Sequence, residues 1–169
     1  MKRTLIVIDM QNDFVTGSLG TPEAQAIVPN VKRKIDEYQA RGDKIIFTRD
    51  SHNANYLHSL EGKHLPVEHC IVGTKGWCVV DELNNPSCEH VDKKTFGYAF
   101  WGDDYYFEEI EIVGVCTDVC VISNALILKA TFRTFDITVD ASCCAGTTTE
   151  KHEAALEVMK SCQINVIGE

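Results

Sequence analysis

The sequence predicts an α/β fold, a doubly wound, mainly parallel six-stranded sheet with helices on both faces. Six short segments rich in β-branched residues are spread along the chain, and helical periodicities fall between them. Strands that alternate with helices are joined by right-handed crossovers, which makes neighbouring strands parallel. The chain has 169 residues, 44% of them apolar, enough to bury a core without disulfide or metal support. No repeat, linker or low-complexity stretch interrupts it, so residues 1–169 are expected to form one domain.

In chain order, the strand-like segments are 4–8, 44–48, a weaker one at 90–94, 109–115, 136–139 and 163–167. The first helix is carried by Val28, Val31, Ile35 and Tyr38 at helical spacing, with Pro29 in its first turn and Gly42 as its stop. Further helices fit 118–131 and 148–160. Two stretches, 50–78 and 95–107, are long, rich in His, Gly and aromatics, and weakly periodic. Such loops in a compact domain commonly carry function.

Sixteen Lys and Arg against twenty-five Asp and Glu leave a formal charge of −9, which argues against a nucleic-acid or anionic-membrane surface. The longest apolar runs, such as 5–8, are about four residues, far short of the ~20 of a membrane span. Asp9 and Asp13 follow that run at once, so no signal-peptide stretch is seen and a cytoplasmic location is expected. In that compartment the eight cysteines, at 70, 78, 88, 116, 120, 143, 144 and 162, stay reduced. No two of them have the two-residue gap of a redox or zinc-ribbon motif.

Ligands of open α/β sheets bind beyond the carboxyl ends of the strands. Asp9 follows the first strand, Asp50 and His52 the second, Lys94 the third, and Thr117, Asp118 and Cys120 the fourth. Cys120 stands where an apolar helix begins. There the positive dipole end and free N–H groups are expected to lower its pKa, favour the thiolate and hold an oxyanion. The competing reading of any of the eight is a buried core thiol, and Cys116, with Cys143 and Cys144 after the fifth strand, compete by position. Asp9, after Leu5-Ile-Val-Ile8, is expected to be partly desolvated, with a raised pKa suited to proton transfer; the alternative is a turn cap. Lys94, beside Lys93, has the composition of a solvated surface lysine.

Four motifs tie these residues together: Val7-Ile-Asp9-Met-Gln11-Asn-Asp13-Phe14, Lys94 six residues before Phe100, Gly114-Val-Cys-Thr-Asp-Val-Cys120, and Asp136-Ile-Thr-Val-Asp140-Ala. With them the chain resembles the isochorismatase-like cysteine hydrolases, whose fold is Rossmann-like, and within them the nicotinamidases. The resemblance covers nearly the whole chain. It implies a catalytic triad of Asp9, Lys94 and Cys120. It also implies an oxyanion hole from the N–H groups of Cys116 and Cys120, supported by a non-proline cis peptide between Val115 and Cys116, and an aromatic substrate wall at Phe14. Phe96, Tyr98 and Trp77 are further wall candidates.

The resemblance further implies a divalent metal, zinc first with iron or manganese also suited, held by Asp50, His52 and His69. Glu61, His58, His64 or water supplies the fourth ligand, and Glu61 is the first choice. His90 and His152 are expected at the surface. Family likeness points to a metal-dependent amidohydrolase converting nicotinamide to nicotinate and ammonia. The alternatives are a related enzyme for another small amide, carbamoyl or ureido compound, and a noncatalytic metal-binding module. The implied partners are a small-molecule amide substrate and further copies of the chain in a homo-oligomer, with no nucleic acid and no membrane.

Overall fold

The computed structural model describes residues 3–169. Its elements are β1 (Arg3–Ile8), α1 (Asn12–Val15), α2 (Pro22–Arg41), β2 (Lys44–Asp50), a 3₁₀ turn (Tyr56–His58), α3 (Leu60–His64), β3 (Glu89–Lys93), α4 (Trp101–Asp104) and β4 (Glu109–Val115). A π-helical turn (Thr117–Val121) then runs into α5 (Ile122–Thr131), followed by β5 (Ile137–Ala145), α6 (Thr149–Ser161) and β6 (Asn165–Ile167). The strands pair in the order β3-β2-β1-β4-β5-β6, and every ladder is parallel. The expected six-stranded, doubly wound α/β sheet is therefore present.

Strand β1 shows how the two layers arise. Leu5 and Val7 pack with Ile27, Val31, Ile35 and Tyr38 of α2 on one face. Ile6 and Ile8, pointing the other way, pack with Ala125 and Leu128 of α5 and with Leu156 and Met159 of α6. A central strand buried on both faces must be apolar throughout, as Leu5-Ile-Val-Ile8 is. Among the described residues no helix is long and apolar enough to cross a membrane.

Several element boundaries differ from the expected ones, and three of the differences bear on the packing and the site. Helix α2 begins at Pro22, with the Thr21 hydroxyl accepting from the Ala24 N–H at 3.0 Å, so Pro29 lies inside the helix rather than in its first turn. Buried Ala24 and Ile27 extend the apolar stripe upstream of Pro29, and their packing offsets the lost backbone bond. The stop at Gly42 is as expected, with φ at +72°.

Strand β5 runs on to Ala145, so Cys143 and Cys144 lie within it rather than after it. Cys143 packs on the α2 side and Cys144 on the α5/α6 side. The third difference is the π turn. The Val121 N–H bonds back five residues to the Cys116 carbonyl at 3.0 Å, so the segment after β4 starts as a wide turn before the α-helix sets in.

The chain reverses its direction of winding between β1 and β4, the position where open α/β sheets bind ligands. There Gly114 has φ at +119°, and a Cβ on it would lie 2.1 Å from the Ile8 carbonyl oxygen. Only glycine lets the two strand ends approach so closely.

Candidate active site and metal centre

Four strand ends bring polar groups to this crevice. Asp9, just after β1, is fully buried and has φ at +49°, a left-handed conformation uncommon for a residue with a side chain. Its Oδ1 accepts from the Thr48 hydroxyl of β2 at 2.6 Å, and its N–H donates to the Thr48 Oγ1 at 3.2 Å. Its Oδ2 lies 2.6 Å from the Lys93 Nζ at the end of β3. That ammonium is also 3.5 Å from Asp50 Oδ1 and 3.6 Å from the Cys120 Sγ. Acid, ammonium and thiol thus meet in one buried cluster.

The lysine of this cluster is Lys93, not Lys94. Lys94 is exposed and faces a separate surface depression with Ser51, Asn53 and Asp92. In the β2/β3 ladder Lys93 stands opposite Asp50, and Asp92 stands opposite Arg49. Residues paired across a parallel ladder share a face, so Lys93 is directed into the sheet's α5/α6 layer while Asp92 pairs with Arg49 on the other side at 2.7 Å. Strand β3 ends at Lys93, and the next residue leaves the cluster.

Burial pushes the Asp9 carboxyl above its ordinary range, and Lys93 opposes but does not cancel this. Burial alone would lower Lys93, yet Asp9, Cys120 and Asp50 more than offset it and hold the ammonium above its usual value. The Cys120 thiol is pushed well up by its complete burial, with Lys93 opposing. Burial thus works against the low-pKa thiolate expected at this position. The turn's N–H groups and one lysine do not offset the loss of water around the sulfur. Cys116 and Cys143 are likewise pushed up by burial, to about 12 and about 11.

The Val115–Cys116 peptide is cis. The Cys116 carbonyl accepts from the Val119 and Val121 N–H groups, both at 3.0 Å, which flank Cys120. Asn124, fully buried, holds the surroundings. Its amide donates to the carbonyls of Cys120 at 2.8 Å and Phe96 at 3.2 Å, and its oxygen accepts from the Tyr98 N–H and the Trp101 indole, both at 2.9 Å.

Next to this cluster, Asp50, His52, Glu61 and His69 offer ligand atoms that all lie within 4.8 Å of one another. His52 Nε2 is 2.9 Å from Asp50 Oδ2 and 3.6 Å from Glu61 Oε1. His69 Nε2 is 3.6 Å and 3.8 Å from the same two oxygens. Ligands on one tetrahedral ion at ~2.1 Å stand about 3.4 Å apart, so the spacing suits a divalent metal, and the mixed N/O set suits zinc, iron or manganese. His69 bonds through Nδ1 to the Val67 carbonyl at 2.8 Å, which turns Nε2 toward the cluster.

Burial opposes ionisation of Asp50, but hydrogen bonds from His52 and His69, with Lys93 nearby, hold its carboxyl well below the usual range. His58 and His64 are exposed and outside the cluster, so of the three side-chain candidates for the last ligand it is Glu61 that the fold brings in.

Two further residues brace the metal cluster. Buried Gln11 donates to the carbonyls of Asp50 at 2.9 Å and Trp77 at 2.8 Å, and accepts from the Asp50 N–H at 2.7 Å. Asp13 accepts from the Cys70 N–H at 2.8 Å, beside His69. Both lie in the motif around Asp9, which hinted at their importance but not at their partners.

A cavity of about 290 Å³ joins the two clusters. Cys116, Val119 and Cys120 line one side, Asp50, Glu61 and His69 another, and Phe14, Leu65 and Phe96 complete apolar walls. Phe14 is tilted against His69 with ring centroids 5.5 Å apart. Tyr98 and Trp77 lie outside this wall. Tyr98 packs edge-on to Trp101, and the Trp77 indole donates to the Ser51 hydroxyl at 2.8 Å. His90 and His152 are half-buried rather than at the surface; His90 stacks on Phe47, and His152 hydrogen-bonds the Thr117 hydroxyl at 2.8 Å.

A buried acid, lysine and thiol beside a His/carboxylate cluster, at the switch point of a parallel sheet, describe a metal-associated hydrolase of the cysteine type. The isochorismatase domain model matches residues 3–168, and the chain belongs to the isochorismatase family; it is an enzyme of the hydrolase class. It is 30% identical to an uncharacterised isochorismatase family protein, PncA, of Bacillus subtilis, over 92% of this chain and 93% of that one. It is 25% identical to a nicotinamidase of Escherichia coli, over 94% and 90%. A crystal structure of a pyrazinamidase of Pyrococcus horikoshii in complex with zinc superposes with a TM-score of 0.84 at 28% identity, covering 100% of both chains.

Proposed function

We propose that the protein is a metal-dependent amidase that converts nicotinamide to nicotinate and ammonia through a thioester on Cys120. The supporting observation is the shared cavity, which has the Cys120 thiol on one side and the Asp50, Glu61 and His69 ligand groups on the other. Its ~290 Å³ is near the lower end of the range for ligand pockets, which suits a substrate the size of a single ring. The metal cluster on the other side of the cavity favours a substrate with a ring nitrogen over a simple carbamoyl or ureido compound.

The chain's own groups define the steps. Asp9 takes the proton of the Cys120 thiol as sulfur attacks the amide carbon, and Lys93 stabilises the carboxylate and the developing thiolate. The negative oxygen of the tetrahedral intermediate meets the N–H groups of Cys116 and Cys120. Asp9 then hands its proton to the amide nitrogen, ammonia leaves, and a thioester remains. A water molecule that gives one proton to Asp9 attacks the thioester carbon, that proton returns to sulfur as the C–S bond breaks, and the nicotinic acid so formed loses its carboxyl proton to solvent and leaves as nicotinate. Burial raises the pKa of Asp9, which suits it to take this proton and to return it. When bound by Asp50, His52, Glu61 and His69, a divalent metal supplies a Lewis-acid anchor for the pyridine nitrogen. Phe14 packs on the ring face, and the residues so described hold the carboxamide toward sulfur.

Ammonia release from nicotinamide by the purified chain tests this reading. Turnover is expected, falling at least 10³-fold in Cys120→Ala and sharply on metal chelation. Cys120→Ala with wild-type turnover would overturn the thioester route, and wild-type protein inactive on nicotinamide but active on a ureido compound would overturn the substrate.

A further inference from the structure

Three of the four metal-cluster residues sit on well-anchored backbone. Asp50 ends β2, the His52 N–H and carbonyl bond to Cys70 and Val72, and His69 precedes the clamped Cys70. Glu61 differs. It lies on α3, a five-residue helix whose only buried residue is Gly62. The neighbouring Leu57 and Leu60 are 46% and 74% exposed, so apolar packing does not hold this helix in place.

What does hold it is Tyr56, which is 1% exposed. Its hydroxyl donates to the Leu65 carbonyl at the end of α3 at 2.9 Å. Its backbone meets the start of the helix so closely that a Cβ on Gly62 would lie 2.2 Å from the Tyr56 carbonyl oxygen. Its ring centroid lies 4.7 Å from that of His52 and 4.8 Å from that of His69, and the two imidazoles are 4.8 Å apart. One side chain thus touches two ligand rings and ties the helix that carries a third ligand.

We propose that Tyr56 is a positioning residue that keeps Glu61 in the metal cluster, its hydroxyl fastening α3 and its ring wedging the two imidazoles. This rests on the metal-site reading above. Tyr56→Phe keeps the ring and removes only the tie to Leu65, so it separates the two contributions. Without that tie α3 has no buried side chain to return it, and Glu61 leaves the cluster while Asp50, His52 and His69 stay.

The test is titration of the metal-free protein with Co²⁺, following its ligand-field bands, for wild type, Tyr56→Phe, Glu61→Gln and the double variant. Tyr56→Phe should lower cobalt affinity roughly 10-fold, as loss of an outer-shell partner does. It should shift the bands as Glu61→Gln does, and the double variant should be no weaker than Glu61→Gln alone. Unchanged folding by circular dichroism accompanies this result. Should Tyr56→Phe not fold, Gly62→Ala, which drives α3 from the Tyr56 carbonyl, should give the same bands. Wild-type affinity and bands in the variant, or a loss that adds to that of Glu61→Gln, would overturn the inference alone. A wild-type chain that binds no Co²⁺ would overturn the metal site itself and the inference with it.

Discussion

Replacing Lys93 by Met keeps most of the side-chain volume and deletes one charge from a cluster that holds three of its partners within 3.6 Å. At an effective dielectric constant near 20, the attraction to Asp9 across 2.6 Å is about 6 kcal/mol before desolvation is counted. Breaking a buried pair by removing one partner costs ~3–5 kcal/mol, because the other charge stays buried and unpaired. If a similar amount is lost from the transition state, turnover falls roughly 10²- to 10⁴-fold.

Lys94→Ala, in contrast, removes an exposed side chain and should change turnover less than about twofold. Ammonia release gives the rates and urea unfolding gives the stabilities. The double variant Lys93→Met with Asp9→Asn should regain part of the lost stability, since neither charge remains, and none of the activity. Near-wild-type turnover in Lys93→Met, or a loss in Lys94→Ala as large as in Lys93→Met, would refute the assignment of the lysine.

Brief alkylation of the native protein followed by mass spectrometry should modify exposed Cys78 and Cys162 first, then cavity-lining Cys116 and Cys120, and Cys70, Cys143 and Cys144 last. If Cys120 is modified ahead of Cys78 and Cys162, it rests as a thiolate, contrary to its burial. A second expectation concerns Asp140, whose Oδ2 lies 2.7 Å from Lys34 Nζ in a cluster with side chains only 7% to 17% exposed. Burial opposes its ionisation, but the hydrogen bond from Lys34 holds its pKa below 3.8. A depressed folded pKa gives stability that is present above the unfolded value and is lost as pH falls through the folded one. Asp140→Asn should therefore cost about 1–3 kcal/mol at neutral pH. In urea unfolding the gap to wild type should close as pH falls below 3.8, and a pH-independent gap would show that packing rather than charge is responsible.

The crevice was legible because chemistry-bearing residues follow strands whose apolar runs are hard to mistake. Asp9, Asp50, His52 and Cys120 all stand where a strand gives out, and the topology gathers such ends at one edge. His69 and Glu61 were legible only through resemblance, since the 50–78 stretch has no period to place them. Gln11, Asp13 and Asn124 act through hydrogen bonds to backbone far along the chain. Composition and spacing carry no signal for such partners, beyond the fact that Asn124 is polar inside an apolar helix.

The lysine shows how two sequence signals can conflict and which one physics favours. Counting back six residues from Phe100 selects Lys94, a rule about loop length, and loops accept an added residue at little cost. Counting along the strand selects Lys93, because Val91 must face the core and side chains alternate with a strict period of two. Val91 is 7% exposed and Lys93 2%, while Asp92 between them reaches solvent and pairs with Arg49. A shift of one residue that brought Lys94 to the cluster would turn Val91 out of the core and bury Asp92 in its place, away from Arg49. The strand's parity is therefore fixed by both the core and the Asp92–Arg49 pair, and a motif count that ignores it lands one residue away.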